Sequence, residues 1–286
     1  MRIPLLVFLS ASAALAQNSV ADRGAPWPTS VDMPRATAMG GAHAAIATGN
    51  DALTVNPAGM AQGHKYHFEL DGVYDASFPA QAVMASLVDT ISTPVASGLL
   101  FSRWASGQPD GRGEGWLLGF GYASPVGQNV FFGGTTKYLR FHTPDGLVAK
   151  WAQDVGILSR KGSFAWAAVI QNLSLEKQLP LFPVTATAAV AWGTDADWHL
   201  AFDYKADLSD LSNVKHRTSF GGEILFDQSF ALRGGGTWDP GSDKKFWLSA
   251  GAAVLTELGA VQFVWRKQLR GGEDQFFEAG IIVFLQ

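Results

Sequence analysis

A chain of 286 residues with no cysteine, a formal net charge of −4 and 16% charged residues excludes several function classes. Charge lies well under the roughly 25% of an ordinary soluble domain, no disulfide or thiolate metal site can form, and no basic block points to nucleic acid. Glycine (32 residues) and aromatics (12%) are abundant instead.

Residues 1–16 read as a signal peptide: Arg2 supplies the positive start, an apolar stretch follows, and Ala14-Leu15-Ala16 offers a cleavage site before Gln17. The apolar run is shorter than the roughly 18 residues of a spanning helix, so secretion is expected. Residues 17–32 lack periodicity and read as a periplasmic lead-in. Residues 33–63 are small-residue-rich. Gly40-Gly41 and Gly49-Asn50 flank a short helix turn expected over residues 42–47, and Asn56-Pro57 forces an extended or turn conformation before Ala58-Gly59-Met60.

No later stretch is long and apolar enough for a spanning helix, which leaves a closed barrel, over residues 64–286, as the one way to cross a membrane. About fourteen strand-like segments follow, each near the roughly 9–11 residues of a tilted membrane strand. They begin near Lys65, Ala80, Val95, Gly113, Asn129, Leu147, Ser163, Pro183, Asp197, Lys215, Ser229, Lys245, Gly259 and Asp274. Trp198, Leu200, Phe202 and Tyr204 share one face of their segment, against His199, Ala201, Asp203 and Lys205. Trp116, Leu118, Phe120 and Tyr122 likewise oppose Leu117, Gly119 and Gly121. A soluble sheet also alternates, but here aromatics sit at the ends of the bulky face, as at two membrane interfaces. The opposite face is glycine, alanine, serine and charge, which suits a narrow polar lumen. Even-numbered connections read as short and most odd-numbered ones as longer and more polar, among them 105–112, 142–146 and 172–180. That segregation belongs to outer-membrane barrels.

The run Arg35-Ala36, Met39-Gly40-Gly41-Ala42, Ala47-Thr48-Gly49-Asn50-Asp51-Ala52 and Asn56-Pro57-Ala58-Gly59-Met60 resembles the N-terminal signature of FadL/PorV-like outer-membrane proteins. The resemblance implies an all-β, transmembrane antiparallel barrel of about fourteen strands in a Gram-negative outer membrane, with this segment folded inward as a plug or hatch. Gly40, Gly41, Asn50, Asp51, Asn56, Pro57, Ala58 and Gly59 are its marker residues. The short chain is more similar to the PorV/PorQ branch than to FadL itself. That branch implies an anchor or accessory subunit of an envelope machine, for protein secretion, surface attachment or gliding motility, with periplasmic or outer-membrane protein partners. The alternative is a FadL-like passive transporter of hydrophobic or small solutes, gated by the hatch.

By strand parity the inward polar candidates are His67, Glu69 and Asp71, then Lys150, Asp154, His199, Asp203, Lys205, Arg217, Glu223, Arg233 and Arg266. Both signs occur, which suits ion pairs wedging the hatch in place or, in a sharper reading, a selectivity lining. Lys137 and Gln153 compete for the lumen face, and Glu278 beside Phe277 leaves the last register open. Inward apolar candidates are few: Leu117, Val169 and Val264. The glycine run at residues 233–236 lets another backbone approach its strand. No nucleophile elbow and no zinc-binding helix motif occurs, so neither an enzyme nor a cofactor is expected. Leu179, Leu181 and Phe182 form an apolar loop that either meets a partner or folds down on the rim.

Overall fold

The computed structural model describes residues 32–63, 65–76, 80–105, 114–143, 146–174, 182–240 and 244–285. The expected signal peptide therefore lies outside the described residues. Fourteen antiparallel strands close into one barrel, each paired with its sequence neighbours and the first with the last. They are β1 Tyr66–Asp75, β2 Ala80–Asp89, β3 Ala96–Ala105, β4 Gly115–Gly127, β5 Val130–Thr143, β6 Gly146–Lys161 and β7 Phe164–Leu173. The second half holds β8 Thr185–Thr194, β9 Trp198–Asp207, β10 Lys215–Phe226, β11 Phe230–Asp239, β12 Lys245–Thr256, β13 Gly259–Arg270 and β14 Gln275–Leu285. Every start falls within two residues of its expectation from sequence. One connection differs in length. β5 and β6 pair out to Thr143 and Gly146, so the expected loop over 142–146 shrinks to residues 144–145.

Burial alternates along the strands because successive side chains point to opposite sheet faces. The outward set includes Leu118, Phe120, Phe202, Phe220, Leu232 and Phe263, all exposed. A closed sheet with that exterior satisfies its backbone internally and is a transmembrane barrel. Trp116, Tyr138 and Trp151 pack in a row of tilted rings at the end with the longer connections, with ring centroids 5.5 and 4.8 Å apart. Phe164, Trp192 and Trp198 lie exposed at the short-turn end. These are two interfacial belts.

The core is inside the barrel and residues 33–62 supply its centre. Two short helices, α1 Pro34–Ala38 and α2 Asp51–Thr54, precede a 3-10 turn at Pro57–Gln62. Pro34 opens α1, where its missing N–H costs nothing. Gly40 (φ 67°) and Gly41 (φ 81°) close it. Gly41 N–H donates to Ala36 O at 2.9 Å and Gly40 N–H to Thr37 O at 3.0 Å, a Schellman end that only left-handed residues allow. The helix turn expected over 42–47 is instead a single hydrogen-bonded turn, Ile46 N–H to His43 O at 3.0 Å. Asp203 Oδ2 accepts from the N–H of His43 (3.1 Å) and of Ala44 (2.9 Å), drawing that backbone to the wall.

Candidate functional site

The hatch meets the wall at close range. A Cβ on Gly121 would sit 2.6 Å from Leu53 Cδ2, and one on Gly133 2.5 Å from the carbonyl carbon of Pro57. On the opposite wall a Cβ on Gly251 would lie 2.6 Å from Ala38 Cβ, and one on Gly235 2.6 Å from Gly40 N. Inward glycines thus make a seat shaped to this backbone. Gly235 is the close approach expected of the glycine run.

One side of the seat is polar. Arg35 forks onto Glu223, with Nε donating to Oε2 at 3.1 Å and Nη2 to Oε1 at 2.7 Å. Arg233 Nε donates to the same Oε2 at 2.6 Å, and its Nη1 to Gln262 Oε1 at 2.7 Å. Gln262 in turn donates to Glu69 at 3.0 Å. Two cations on one buried carboxylate are the arrangement that makes burying it tolerable. His199 Nδ1 lies 3.4 Å from Glu223, and Arg160 Nη2 lies 2.9 Å from His199 Nε2. Arg160 also pairs at 2.6 Å with Asp195, 65% exposed in a short turn, so this chain of contacts reaches solvent.

Within the hatch, His43 Nε2 lies 3.1 Å and Arg35 Nη1 3.9 Å from Asp51 Oδ2. Burial works to raise the Asp51 pKa, but these two neighbours hold it below the ordinary aspartate value. Burial likewise disfavours the Arg35 cation, yet Glu223 more than offsets it and raises its pKa. Asn50 Nδ2 donates to Ser86 Oγ at 2.5 Å, and Thr237 Oγ1 to Gly40 O at 2.5 Å. Asn56 holds itself extended, Oδ1 accepting from Ala58 N–H at 3.2 Å while Nδ2 donates to Ala44 O at 2.8 Å. A Cβ on Gly59 would sit 2.7 Å from the carbonyl carbon of Ala47.

The other side is apolar, which the sequence reading underestimated. Beyond Leu117, the buried set includes Val73, Met84, Leu100, Trp104, Leu139 and Phe141, packed in one cluster with Leu53 and Met60 of the hatch. Phe182 belongs to the same cluster at 6% exposure, so it faces inward. Leu179 and Leu181 lie outside the described residues. Val169 is buried in a second, alanine-rich cluster against Ile46 and Met39, and Val264 is also buried.

The expected polar lining is largely brought together, with changes. His67, Glu69, Asp71, Lys150, Asp154, Asp203, Glu223 and Arg233 all take inward positions. Lys205 Nζ donates to Gln171 Oε1 at 3.2 Å. Arg266 stacks over the Trp247 ring at 5.0 Å. Arg217 does not clasp the hatch: it is 41% exposed and pairs with Asp239 at 3.5 Å. Lys137 wins the lumen face, 2.7 Å from Asp154, while Gln153 points outward and accepts from Thr136. Glu278 is inward and buried. Sequence reading missed Gln171, whose Nε2 donates to Thr54 O at 2.7 Å, and Asn172, whose backbone N–H turns to Asp154 Oδ1 at 2.8 Å. Asn172 sits at φ 61° where the β6–β7 register shifts, an irregularity no period-2 count reveals.

No protein-family model and no curated protein sequence matches this chain. Solved structures match in fold. CymD, described as a monoaromatic hydrocarbon channel, superposes with a TM-score of 0.69 at 13% identity, over 89% of this chain and 98% of that one. The toluene transporter TbuX of Ralstonia pickettii gives 0.64 at 15% identity, over 90% and 99%. The P. putida toluene transporter TodX gives 0.58 at 12% identity, over 90% and 98%. The likeness is one of fold alone. It does not single out the PorV/PorQ branch.

Proposed function

We propose that this chain is an outer-membrane channel for small apolar solutes of a Gram-negative bacterium, with the hatch as its gate. The observation that carries this reading is the apolar strip on the inner wall of β2–β5. It leads from Trp104 and Phe141, at the end with the longer connections, to Leu53 and Met60 of the hatch. An apolar solute needs such a surface at each step, and a lumen lined only by ion pairs would repel it. The kinship in fold with a hydrocarbon channel and toluene transporters points the same way. Hydrophobic-solute passage thereby gains on the anchor reading, which keeps one supporting observation, the fully seated hatch. The inward Phe182 takes support from an apolar partner loop.

The test is uptake of radiolabelled ethylbenzene into proteoliposomes carrying the full chain. Flux well above protein-free vesicles is expected, with a further rise when the Arg35–Glu223 contact is broken. No flux in either case, together with stoichiometric protein partners after cross-linking in native membranes, would replace this reading with the anchor.

A further inference from the structure

Trp151, Trp166, Trp192, Trp198 and Trp238 are exposed on the outer face, but Trp104 points the other way. It sits near the upper end of β3, 3% exposed, in the apolar cluster of the inner wall. Its ring meets Phe141 edge-on, with centroids 6.4 Å apart. Across the ladder it faces Ala82 on β2 and Gly115 on β4. Neither side chain has a polar atom, and a Cβ on Gly115 would collide with the Phe141 ring. The indole Nε1 is buried and has no hydrogen-bond acceptor among the described residues. A buried indole N–H ordinarily finds a partner, because leaving it bare forfeits its hydration without return.

We propose that Trp104 selects among the solutes of this channel by donating its indole N–H to a neutral acceptor oxygen on an otherwise apolar, ring-sized compound. This rests on the channel reading above and names the chemistry that the apolar wall recognises. The apolar neighbours require that the rest of the solute be hydrocarbon, and the Phe141 edge favours an aromatic ring. Neutrality follows from the cations nearby in the sheet. Lys137 on β5 is held by Asp154 and by Asn172 at 2.6 Å, and Lys150 on β6 also has a partner. A carboxylate would thus find these charges engaged, whereas a carbonyl or ether oxygen needs only the single N–H. An aryl ketone fits this description and a plain alkylbenzene leaves the donor bare.

The matched probes are acetophenone and ethylbenzene, which differ by a carbonyl in place of a methylene. Equilibrium dialysis of each against the purified full chain in detergent gives the affinities. Trp104→Phe keeps an aromatic ring, though a smaller one, and removes the N–H. It is expected to weaken acetophenone about tenfold, the worth of one buried hydrogen bond, and to leave ethylbenzene within about twofold. Equal losses for both, or no loss for either, would overturn the role of the N–H while leaving the channel intact. Failure of the wild-type chain to bind or pass either compound would instead remove the channel reading itself. A measurement on the unmutated protein guards against a variant that does not fold. Of the ten indole N–H signals of a 15N-tryptophan-labelled sample, one should move downfield with acetophenone and stay with ethylbenzene. If none responds to acetophenone, the proposal fails.

Discussion

The two sides of the lumen hold the same hatch by different physics. On the wall of β9–β11 and β13 the contacts are directional: Glu223 gathers Arg35, Arg233 and His199, and Asp203 gathers two backbone N–H groups. On the wall of β3–β5 Leu53, Met60 and Pro57 rest against glycines and aliphatic side chains. Directional contacts define one seat and lose most of their value when displaced by an ångström. Apolar contacts are proportional to area and survive a slide. The hatch is therefore fixed from the polar side and only leaned on from the apolar side, where a solute has room to compete for surface.

The strongest way to break this contrast is Glu223→Ala, which leaves Arg35 and Arg233 without their shared carboxylate. The seated hatch should lose about 3–5 kcal/mol, read as faster tryptic cleavage after Arg35 with the barrel still resistant to detergent unfolding. Unchanged cleavage would mean that the apolar side alone suffices. Next in size is Gly235→Leu, which drives a side chain into the Met39–Gly40 backbone. Overpacking of about 1–3 kcal/mol or more is expected, lowering the thermal midpoint of hatch protection. Acid should act on the polar side only. Because the folded-state pKa of Asp51 is depressed, its contribution is complete above the ordinary aspartate value. It is lost as pH falls below that ordinary value and through the lower folded one. Peptic cleavage within the hatch should rise over that window, and Asp51→Asn should flatten the rise. The smallest effect belongs to the apolar side. Met60→Leu keeps volume and character and should cost under about 1.5 kcal/mol, with tryptic cleavage after Arg35 close to wild type. A large change there would show that shape fixes that side as well.

The strand plan was legible because period-2 alternation and turn residues are local signals, and the barrel pairs neighbours in sequence. Parity also found Glu69, Asp203, Glu223 and Arg233. What it could not give was their partners, since Arg35 and Glu223 are far apart in the chain. The alanine-rich stretch from Ala42 has good helix propensity, yet its Ala44 carbonyl accepts from Asn56 Nδ2 outside the stretch, a tertiary override. Trp104 shares its face of β3 with Gly98, Leu100 and Ser102, while Leu99 and Phe101 line the other. The contrast between those faces is too small to say which looks inward. Phe182 follows a stretch without periodicity, so nothing local fixes its direction. Gln153 stands at the β6–β7 register shift, where parity stops being a guide, and its β5 neighbour Lys137 could not be placed from β5 alone.

The sequence distances spanned by the hatch contacts bear on the order of assembly. Arg35 reaches Glu223 across 188 residues and Gly40 reaches Thr237 across 197. Loop closure over such spans comes late, after the local hairpins have formed. Until β10 and β11 are in place, residues 33–62 have no complete seat, and Arg35 lacks its Glu223 partner. The hatch thus registers completion: it locks when the last third of the barrel has arrived. In a pulse-labelled assembly reaction, tryptic protection at Arg35 should appear no earlier than the heat-modifiable band of the closed barrel.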